Sequence, residues 1–453
     1  MSADLDAFLA AHPALAQVEL VVTDPGGVTR GKWAPVDALE KAFGAGVNFP
    51  LSLHGLDVWG SEVPETGLHI ESGDRDGFFR AVPSSLSAVP WGGEGIAMEP
   101  ADATRAQVLL ETVDEHGAPF PGCARQVLRR VVERLAGEGF TPVCAFELEF
   151  HLFGPERDGD GLPVPLSDPA VQDMYGLDPL AGHGGLFADI RRAADWAGLP
   201  IDTIVKEAGP GQYEVNLSHR ADALRAADDA VLLRRIVRET ARAHGITASF
   251  MAKPVMDDPG NGMHVHVSLL DAGGTNVFST KGGEARLRHA AGGLLATMAE
   301  ATLVFVNTVN GARRMAPGSY APTRANWGEN NRSVAVRLPA APPAARRLEH
   351  RVAGADANPY LVLAAIACAM ADGITQEADP GPALEGNAYD EATPHRGPVL
   401  PATPETQLAT FEEGPFAARA LGPAMAKHLA AIKRAEIERL ARTIPPAEYA
   451  AFL

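Results

Sequence analysis

Residues 146–150 read Phe146-Glu147-Leu148-Glu149-Phe150, and this stretch decides the fold because apolar and acidic side chains alternate along it. In an extended strand, alternate side chains share a face, so the apolar residues point into a core while Glu147 and Glu149 lie side by side on the other face. Two neighbouring carboxylates repel each other and are costly to remove from water. The pattern therefore predicts a strand whose acidic face is matched by a cation.

Three further segments have the same design, and each carries a polar row beside an apolar one. The polar rows are Glu214 and Asn216, with Glu207 upstream across a Gly-Pro-Gly turn; His264, His266 and Ser268; and Glu349 and Arg351. Arranged around one concave sheet, the four polar faces would bring five glutamates, two histidines and at least one arginine into a single cavity.

The size and charge of the chain limit the possible functions. It has 453 residues, of which 46% are hydrophobic, and this length predicts two or three domains with an ample core. The formal net charge is −18, so nucleic acid is not expected as the main partner because its phosphates would be repelled. A cationic substrate would be tolerated or weakly attracted.

Cysteine usage and apolar stretches predict a cytoplasmic protein with no membrane partner. Cys123, Cys144 and Cys368 are far apart and lack Cys-x-x-Cys spacing, which is typical of buried thiols in a reducing compartment. The first residues contain neither a basic leader nor a long apolar run. The longest apolar stretch, residues 360–370, is too short to span a bilayer and is expected to form a buried helix.

The hydrophobic pattern predicts a small, strand-rich N-terminal domain over residues 1–103 and a larger second domain over residues 104–453. Residues 17–33 predict a β-hairpin, and short strands continue to about residue 99. A strand is expected over residues 106–113 and the acidic strand over 146–153; helices are expected over residues 124–137, 221–244, 285–307 and 423–441; loops are expected over residues 154–172, 311–331 and 378–404.

Two other motifs have competing explanations. Residues 26–32 match the spacing of a phosphate-binding P-loop, but Trp33 stands where that motif requires a hydroxyl, and the glycines lie in a hairpin turn. His264 and His266 could bind zinc or could be hydrogen-bonded in a core. The neighbouring carboxylates favour an oxygen-dominated site, which suits Mg²⁺ or Mn²⁺.

Several arginines bracket the 311–331 loop, namely Arg313, Arg314, Arg332, Arg337 and Arg351. Arginines of this kind are often only solvated on the surface. However, a site that combines divalent metals, several arginines and no P-loop suggests phosphoryl transfer by a metal clamp.

The motifs together resemble those of the glutamine synthetase family over nearly the whole chain. The segments that carry the resemblance are Glu147-Leu148-Glu149-Phe150, Glu207 to Glu214, Gly262 to Ser268, Asn331-Arg332-Ser333, and Glu349 to Val352 followed by Asn358-Pro359-Tyr360-Leu361. Within the family, the chain is most similar to the γ-glutamylputrescine synthetases of polyamine catabolism. The segments that point there are 49–52, 250–254, 317–320 and 351–358.

The resemblance implies an α+β protein. A small β-grasp-like N-terminal domain would precede a catalytic domain with a curved antiparallel sheet flanked by helices. It also implies a homododecamer of two stacked hexamers, with each active site between neighbouring subunits. The implied reaction uses ATP as co-substrate and two or more Mg²⁺ or Mn²⁺ ions.

The resemblance also assigns roles to individual residues. Glu149, Glu207 and Glu214 would hold one metal ion, and Glu147, His264 and Glu349 would hold the second. The nucleotide side would comprise His266, Ser268, Arg337 and Arg347. Arg314, Arg351, Gly260 and Tyr320 would bind the substrates, with Arg314 also counted among the catalytic residues, and Arg332 would stabilise the transferring phosphoryl group. By charge alone, Asp57 and Glu329 are candidates for the base that deprotonates the amine.

The implied activity is the ATP-dependent joining of the γ-carboxylate of L-glutamate to an amine through γ-glutamyl phosphate. Ammonia-using members of the family carry Tyr-Glu after a Pro-Gly pair, whereas this chain has Ser319-Tyr320, and Pro259 replaces an asparagine before the histidine motif. Exchanging an anionic lid for an aromatic one suits an alkylamine with methylenes to cover and a cationic tail. Putrescine or a related polyamine is the expected amine; ammonia and another monoamine are the alternatives.

Overall fold

The N-terminal part of the chain forms a six-stranded mixed sheet. In the computed structural model of this protein, residues 3–93, 95–166 and 173–452 are described. The elements of the N-terminal part are α1 (Ala3–Ala11), β1 (Gln17–Thr23), β2 (Thr29–Pro35), α2 (Ala38–Phe43), β3 (Val47–Pro50), β4 (Asp76–Ala81), β5 (Ser87–Val89) and β6 (Arg105–Val113). The strand order is β2-β1-β6-β4-β3, and β5 pairs with β6.

The predicted hairpin at the start of this sheet is confirmed. β1 and β2 pair antiparallel, and the Asp24 side chain accepts the backbone N–H of Val28 at 2.9 Å to close the turn. β6 pairs in parallel with β1. The division of the chain at residues 103 and 104 stays a prediction, and we propose placing it after Val113 because β6 lies inside the N-terminal sheet.

The remainder of the described chain is built around a nine-stranded sheet with helices packed on it. Its elements are α3 (Ala124–Gly137), β7 (Thr141–Arg157), β8 (Pro163–Pro165), α4 (Leu177–Gly182), α5 (Gly184–Trp196), β9 (Ile201–Lys206), β10 (Gln212–Leu217), α6 (Ala223–Ala243), β11 (Thr247–Ser249), β12 (Met263–Leu270), α7 (Gly283–Phe305), α8 (Val309–Arg314), β13 (Trp327–Glu329), β14 (Val336–Leu338), β15 (Leu348–His350), α9 (Pro359–Thr375), α10 (Pro404–Glu413), α11 (Phe416–Leu421), α12 (Pro423–Ala441) and α13 (Pro446–Phe452).

The main path of this sheet runs β13-β14-β15-β12-β7-β10-β9, with β8 and β11 also paired to β7. All of these pairs are antiparallel except β13 with β14, so the sheet is mixed rather than purely antiparallel. The α+β fold class is confirmed.

The period-2 pattern of the acidic strand gives β7 its two faces. Phe146, Leu148 and Phe150 are 0% exposed, and they belong to the main hydrophobic core. Glu147 and Glu149 lie on the opposite face and are only partly buried. Because β7 sits in the middle of the sheet, its acidic face lies between the polar faces of β12 and β10.

Helices α3, α6, α7 and α9 contribute to the core behind the sheet. α9 contains the expected buried apolar stretch; Asn358 caps it by accepting the backbone N–H groups of Tyr360 and Leu361 at 3.0 and 3.3 Å. Among the described residues, no helix combines the length and the apolar character that crossing a membrane would require.

Some predicted boundaries were wrong. The expected loop over residues 154–172 begins with the end of β7 and contains β8; residues 167–172 lie outside the described part of the chain. The expected irregular segment 311–331 contains the end of α8 and all of β13. Cross-strand pairing and tertiary packing determine these ends, and neither is visible in a local pattern.

Candidate active site

The polar faces of five adjacent strands meet in one row across the sheet. The cross-strand partners are Arg337 with Glu349, Glu349 with His266, His264 with Glu147, and Glu149 with Glu214. Directly opposed residues of an antiparallel pair point to the same face, so these side chains converge. The alternation found in the sequence is thus the cause of the cluster.

Glu147 lies at the centre of the row and binds both histidines. Its Oε2 is 3.2 Å from His264 Nδ1, and its Oε1 is 2.8 Å from His266 Nε2. Burial raises the pKa of Glu147, but the hydrogen bonds from His264 and His266 outweigh it and hold the pKa far below the usual value. Glu147 is therefore the carboxylate that joins the two histidines at the centre of the row.

Glu149 is fixed by backbone and amide donors. The backbone N–H of Gly262 donates to its Oε2 at 2.6 Å, and the Gln212 side chain approaches the same oxygen at 3.5 Å. Gln212 also donates to the Gly260 carbonyl at 3.0 Å and to the Asn261 side chain at 3.2 Å. These contacts hold Glu149 against the loop that precedes β12.

Glu149, Glu207 and Glu214 form what we call the unpaired group. Within the described parts of the chain, none of the three makes an ion pair with lysine or arginine, although the charge of Arg332 is close enough to affect Glu207. Burial, and next the charge of Glu149, raise the pKa of Glu207 to about 7. Burial, followed by the charges of Glu147, Glu149 and Glu207, raises the pKa of Glu214 well above its usual value. These crowded carboxylates therefore have nearby positive charges but no direct lysine or arginine ion pair among the described residues.

Glu349 lies at the other end of the row and is already neutralised. Its Oε2 accepts a hydrogen bond from Arg337 at 2.7 Å, and its Oε1 pairs with Arg351. Burial raises the pKa of Glu349, but the charges of Arg351, His264 and His266 lower it to about 2. Glu349 with Arg337 and Arg351 is called the paired group below.

Among the residues that the structure describes, two sets of side chains are compact enough to hold a metal ion. Ligand atoms of Glu147, Glu214 and His264 lie within 4.8 Å of one another, and so do those of Glu147, His266 and Glu349. Carboxylate oxygens with one imidazole nitrogen fit Mg²⁺ or Mn²⁺, and the repulsion within the unpaired group would be relieved by such a cation. These sets divide the residues differently from the predicted ligand triplets, so the assignment of ligands to each ion stays a prediction.

Arg314 lies beside the acidic cluster, and its side chain packs against the backbone of Gly260 and Gly262. It is 4% exposed and donates to the Val352 carbonyl at 2.9 Å. A Cβ on Gly260 would be 2.9 Å from Arg314 Cγ, and one on Gly262 would be 2.6 Å from Arg314 Nη2. At Gly260 the Ala252 carbonyl oxygen would also lie 2.4 Å from the added Cβ, so the backbone itself excludes a side chain there, whereas a side chain on Gly262 would displace the end of Arg314. Gly262 thus stands between Arg314 and Glu149, so a cationic site adjoins the acidic one.

Three of the predicted nucleotide residues lie at one end of the row. Arg347 donates to His266 Nδ1 at 3.1 Å, and Arg337 also binds the Asn330 side chain at 2.8 Å. Ser268 is buried two residues beyond His266 on the same face of β12. An edge-to-face contact joins His266 to His219, whose ring centroid is 6.0 Å away.

Arg332 and Tyr320 lie on exposed parts of the site. Arg332 is exposed, and its charge is close enough to Glu207 to lower the pKa of that carboxyl. Tyr320 is 67% exposed and has a positive φ of 58°, a conformation that non-glycine residues adopt rarely. The next residue, Ala321, accepts a hydrogen bond from the Tyr389 hydroxyl at 3.1 Å.

The structure does not bring the two candidate bases into the cluster of the same chain. The Asp57 carboxylate accepts the backbone N–H groups of Trp59 and Ser61 at 3.0 and 2.7 Å and pairs with Arg439 of α12 at 3.3 Å. Glu329 is exposed and lies 3.9 Å from Arg288. A role for either residue in deprotonating the amine stays a prediction.

Sequence reasoning missed Gln212, His219 and Tyr389. Gln212 could have been found, because it continues the alternation of Glu214 and Asn216 by one step. His219 lies beyond the end of β10, and Tyr389 lies in the long loop between α9 and α10, so no local period marks either residue. The charges of Arg314 and Arg351 act on Tyr389, which places it near them.

Comparison with known proteins relates this chain to glutamine synthetases and to ligases that join glutamate to amines. The family model described as the catalytic domain of glutamine synthetase matches residues 121–452. The γ-glutamylputrescine synthetase PuuA of Escherichia coli (strain K12) is 37% identical over 449 residues, which cover 97% of this chain and 92% of that protein. A glutamate–isopropylamine ligase of a Pseudomonas species is 31% identical over 433 residues, which cover 93% and 91%. A solved structure of GmaS in complex with ADP superposes with a TM-score of 0.84 at 29% identity, covering 100% of this chain and 99% of that one.

Proposed function

Because the chain belongs to the glutamine synthetase family, we propose that it is an ATP-dependent ligase that joins the γ-carboxylate of L-glutamate to an amine. The observation that carries the proposal is the position of Gly262 between the unpaired group and Arg314. Its N–H binds Glu149, and its missing side chain admits Arg314. A cation-binding acidic pocket thus adjoins a buried guanidinium that can hold the α-carboxylate of glutamate.

The first half of the proposed reaction activates a carboxylate. A γ-carboxylate oxygen of glutamate attacks the γ-phosphorus of ATP, the bond to the ADP oxygen breaks, and γ-glutamyl phosphate forms. Mg²⁺ or Mn²⁺ bound at the acidic row would neutralise phosphate charge. Arg337 and Arg347 are placed to bind nucleotide phosphates at the end of the row, and exposed Arg332 can reach the transferring group near Glu207.

In the second half of the proposed reaction, the amine reacts with this acyl phosphate. The amine nitrogen attacks the acyl carbon, phosphate leaves with the C–O bonding pair, and the nitrogen loses a proton. Arg314 and Arg351 would hold glutamate in place during both halves, since Arg314 is fixed to Val352 and Arg351 to Glu349.

The proposed amine is putrescine or a related polyamine. The relative from Escherichia coli is a γ-glutamylputrescine synthetase, and it matches nearly the whole chain. Exposed Tyr320 and nearby Tyr389 supply aromatic surface where an alkyl chain and its distal ammonium could lie. A monoamine is the second candidate, because the glutamate–isopropylamine ligase also matches more than nine tenths of the chain.

The test is an amine panel with purified protein, ATP, Mg²⁺ and L-glutamate. Phosphate release should be faster with putrescine than with ammonium or isopropylamine, and mass spectrometry should identify the γ-glutamyl amide. Phosphate release without any amide would refute the ligase assignment. Turnover with ammonium equal to that with putrescine would refute the choice of amine and leave a glutamine synthetase.

We also propose that the enzyme is a cytoplasmic homododecamer of two stacked hexamers with active sites between subunits. In such an assembly Asp57 of one subunit could approach the acidic row of its neighbour. Large apolar side chains on the N-terminal part, including Trp33, Trp59 and Ile70, are 45–78% exposed and would be covered by a neighbour. Light scattering after size-exclusion chromatography tests the number of subunits, and a monomer would refute this arrangement.

A further inference from the structure

The short helix that carries Arg314 is capped by a residue outside the acidic row. α8 begins after Thr308, whose backbone is extended with φ −130° and ψ 153°. Thr308 Oγ1 accepts the backbone N–H of Gly311 at 2.9 Å and donates its own proton to Asp356 Oδ2 at 2.8 Å. One hydroxyl therefore joins the first turn of α8 to a carboxylate on the segment that follows β15.

Asp356 is held firmly by its neighbours in sequence. The N–H of Gly354 donates to the Phe305 carbonyl, and the N–H of Ala355 donates to the Asn261 carbonyl, both at 3.0 Å. Arg234 donates to the carbonyls of Ala355 and Ala357 at 3.1 and 3.0 Å. Asp356 Oδ1 is shielded from solvent and has no hydrogen-bond partner among the described residues. The Asp356 carboxylate is thus a fixed point from which Thr308 can be oriented.

The placement of α8 matters because the Arg314 side chain has little free space. Its Cγ and Nη2 lie 2.9 and 2.6 Å from the positions that a Cβ would take on Gly260 and Gly262. A rotation of α8 by a fraction of a turn would push Arg314 into the backbone at these glycines or withdraw it from them. α8 also has a second, separate contact on the face that carries Arg314, since Asn310, four residues before Arg314, exchanges two hydrogen bonds with the backbone of Lys253, at 2.7 and 2.9 Å. Loss of the cap should therefore tilt α8 without detaching it.

We propose that Thr308 and Asp356 are positioning residues that aim Arg314 into the glutamate site through the cap of α8. The inference rests on the proposed function, because it takes Arg314 to bind a carboxylate of glutamate. Neither residue touches a substrate in this scheme. Their effect is on the binding of glutamate, while the nucleotide end of the row is left unchanged.

The experiment compares Thr308→Val, which removes the hydroxyl and keeps the shape, with Thr308→Ser, which keeps the hydroxyl. Thr308→Val should raise KM for L-glutamate about five- to tenfold, as expected when one hydrogen bond to the substrate is weakened by misalignment but not lost. KM for ATP should not change, and Thr308→Ser should restore the wild-type KM for glutamate. Asp356→Asn replaces the carboxylate that accepts the Thr308 proton by an amide oxygen, a weaker acceptor, so it should raise the same KM about two- to threefold. If Thr308→Val does not fold, the KM of Asp356→Asn for L-glutamate still tests the proposal.

The matched control is Thr403→Val, because Thr403 caps α10 in the same way by accepting the N–H of Thr406 at 3.3 Å. It should lower the melting temperature without changing either KM. Titration calorimetry of L-glutamate in the presence of Mg²⁺ and a non-hydrolysable ATP analogue gives a readout that does not depend on turnover. If Thr308→Val and Thr403→Val behave alike, or if KM for ATP rises together with KM for glutamate, the positioning role is refuted. If the wild-type protein does not bind or use glutamate at all, the proposed function itself fails instead.

Discussion

Glu349 and Glu214 lie on the same polar face of one sheet, yet their surroundings shift the pKa values of the two carboxyl groups in opposite directions. Glu349 is bound by Arg337 and Arg351, and its pKa is lowered to about 2. Glu214 is 8% exposed and faces other carboxylates, and its pKa is raised. The paired group is therefore neutralised within the protein, whereas the unpaired group is where we propose that a cation binds. The difference suggests two roles: the paired group stabilises the row of polar side chains, and the unpaired group is available to bind a cation.

The largest expected effect comes from removing the carboxylate of the paired group. Glu349→Gln would remove the carboxylate that neutralises buried Arg351 and partly buried Arg337, and it should destabilise the metal-free protein by about 3–5 kcal/mol. The measurement is the thermal melting midpoint in EDTA. Glu412→Gln is the matched control, because Glu412 pairs with Arg434 at the surface and both side chains are well exposed. Equal melting temperatures for the two variants would contradict the comparison.

Removing a member of the unpaired group should affect catalysis instead. Glu149→Ala should lower kcat for phosphate release about 1,000-fold, or about 4 kcal/mol, because a cation ligand is lost. The same strand supplies the control, Glu156→Ala, since Glu156 is exposed seven residues further along β7. The variants should retain the wild-type assembly in light scattering. A Glu149→Ala enzyme with wild-type turnover would show that this carboxylate does not hold the cation.

Metal addition should stabilise the wild-type protein through the unpaired group. At about 100 times its dissociation constant, a bound ion adds about 2.7 kcal/mol to the free energy of unfolding. A rise in melting temperature on adding Mg²⁺ or Mn²⁺ to EDTA-treated protein checks this. No rise with either ion would remove the basis for calling this a metal site.

The smallest expected effect has the opposite sign from the first. Glu214→Gln removes one of several repelling charges, so the metal-free variant should be about 1 kcal/mol more stable than the wild type. The gain should disappear in saturating Mg²⁺, where the wild-type protein has the counter-charge. A variant that is less stable than the wild type in EDTA would show that repulsion within the unpaired group is already relieved in some other way.

Much of the row was predictable because a strand repeats every two residues. Glu147 and Glu149, His264 and His266, and Glu349 and Arg351 were all identified from alternation, and the sheet places them on one face. The alternation could not reveal which carboxylates are paired, since Arg337 reaches Glu349 only through the pairing of β14 with β15. The contact of Tyr389 with Ala321 joins two loops far apart in sequence, and local patterns carry no information about it.

The fold was predictable to a similar degree. The ends of α3 and α12 agree with the expected ranges, because apolar residues recur at helical spacing in both. α5 was missed although Phe187, Ile190 and Ala194 have that spacing, because glycines precede it and the loop before it has no clear pattern. The place of β6 in the N-terminal sheet was missed because its partner β1 lies much earlier in the chain.

The pairing of β6 with β1 has a consequence for biosynthesis. Arg105 of β6 is 88 residues from Gln17, its partner in β1, and the strands are parallel, so they cannot join through a simple hairpin. While the chain is still emerging from the ribosome, the β1–β2 hairpin therefore has an open edge until β6 has been synthesised. Such an edge can pair with another nascent chain. Translation that pauses before residue 105 should favour aggregation, whereas a pause after the whole of β6 has left the ribosomal exit tunnel should not.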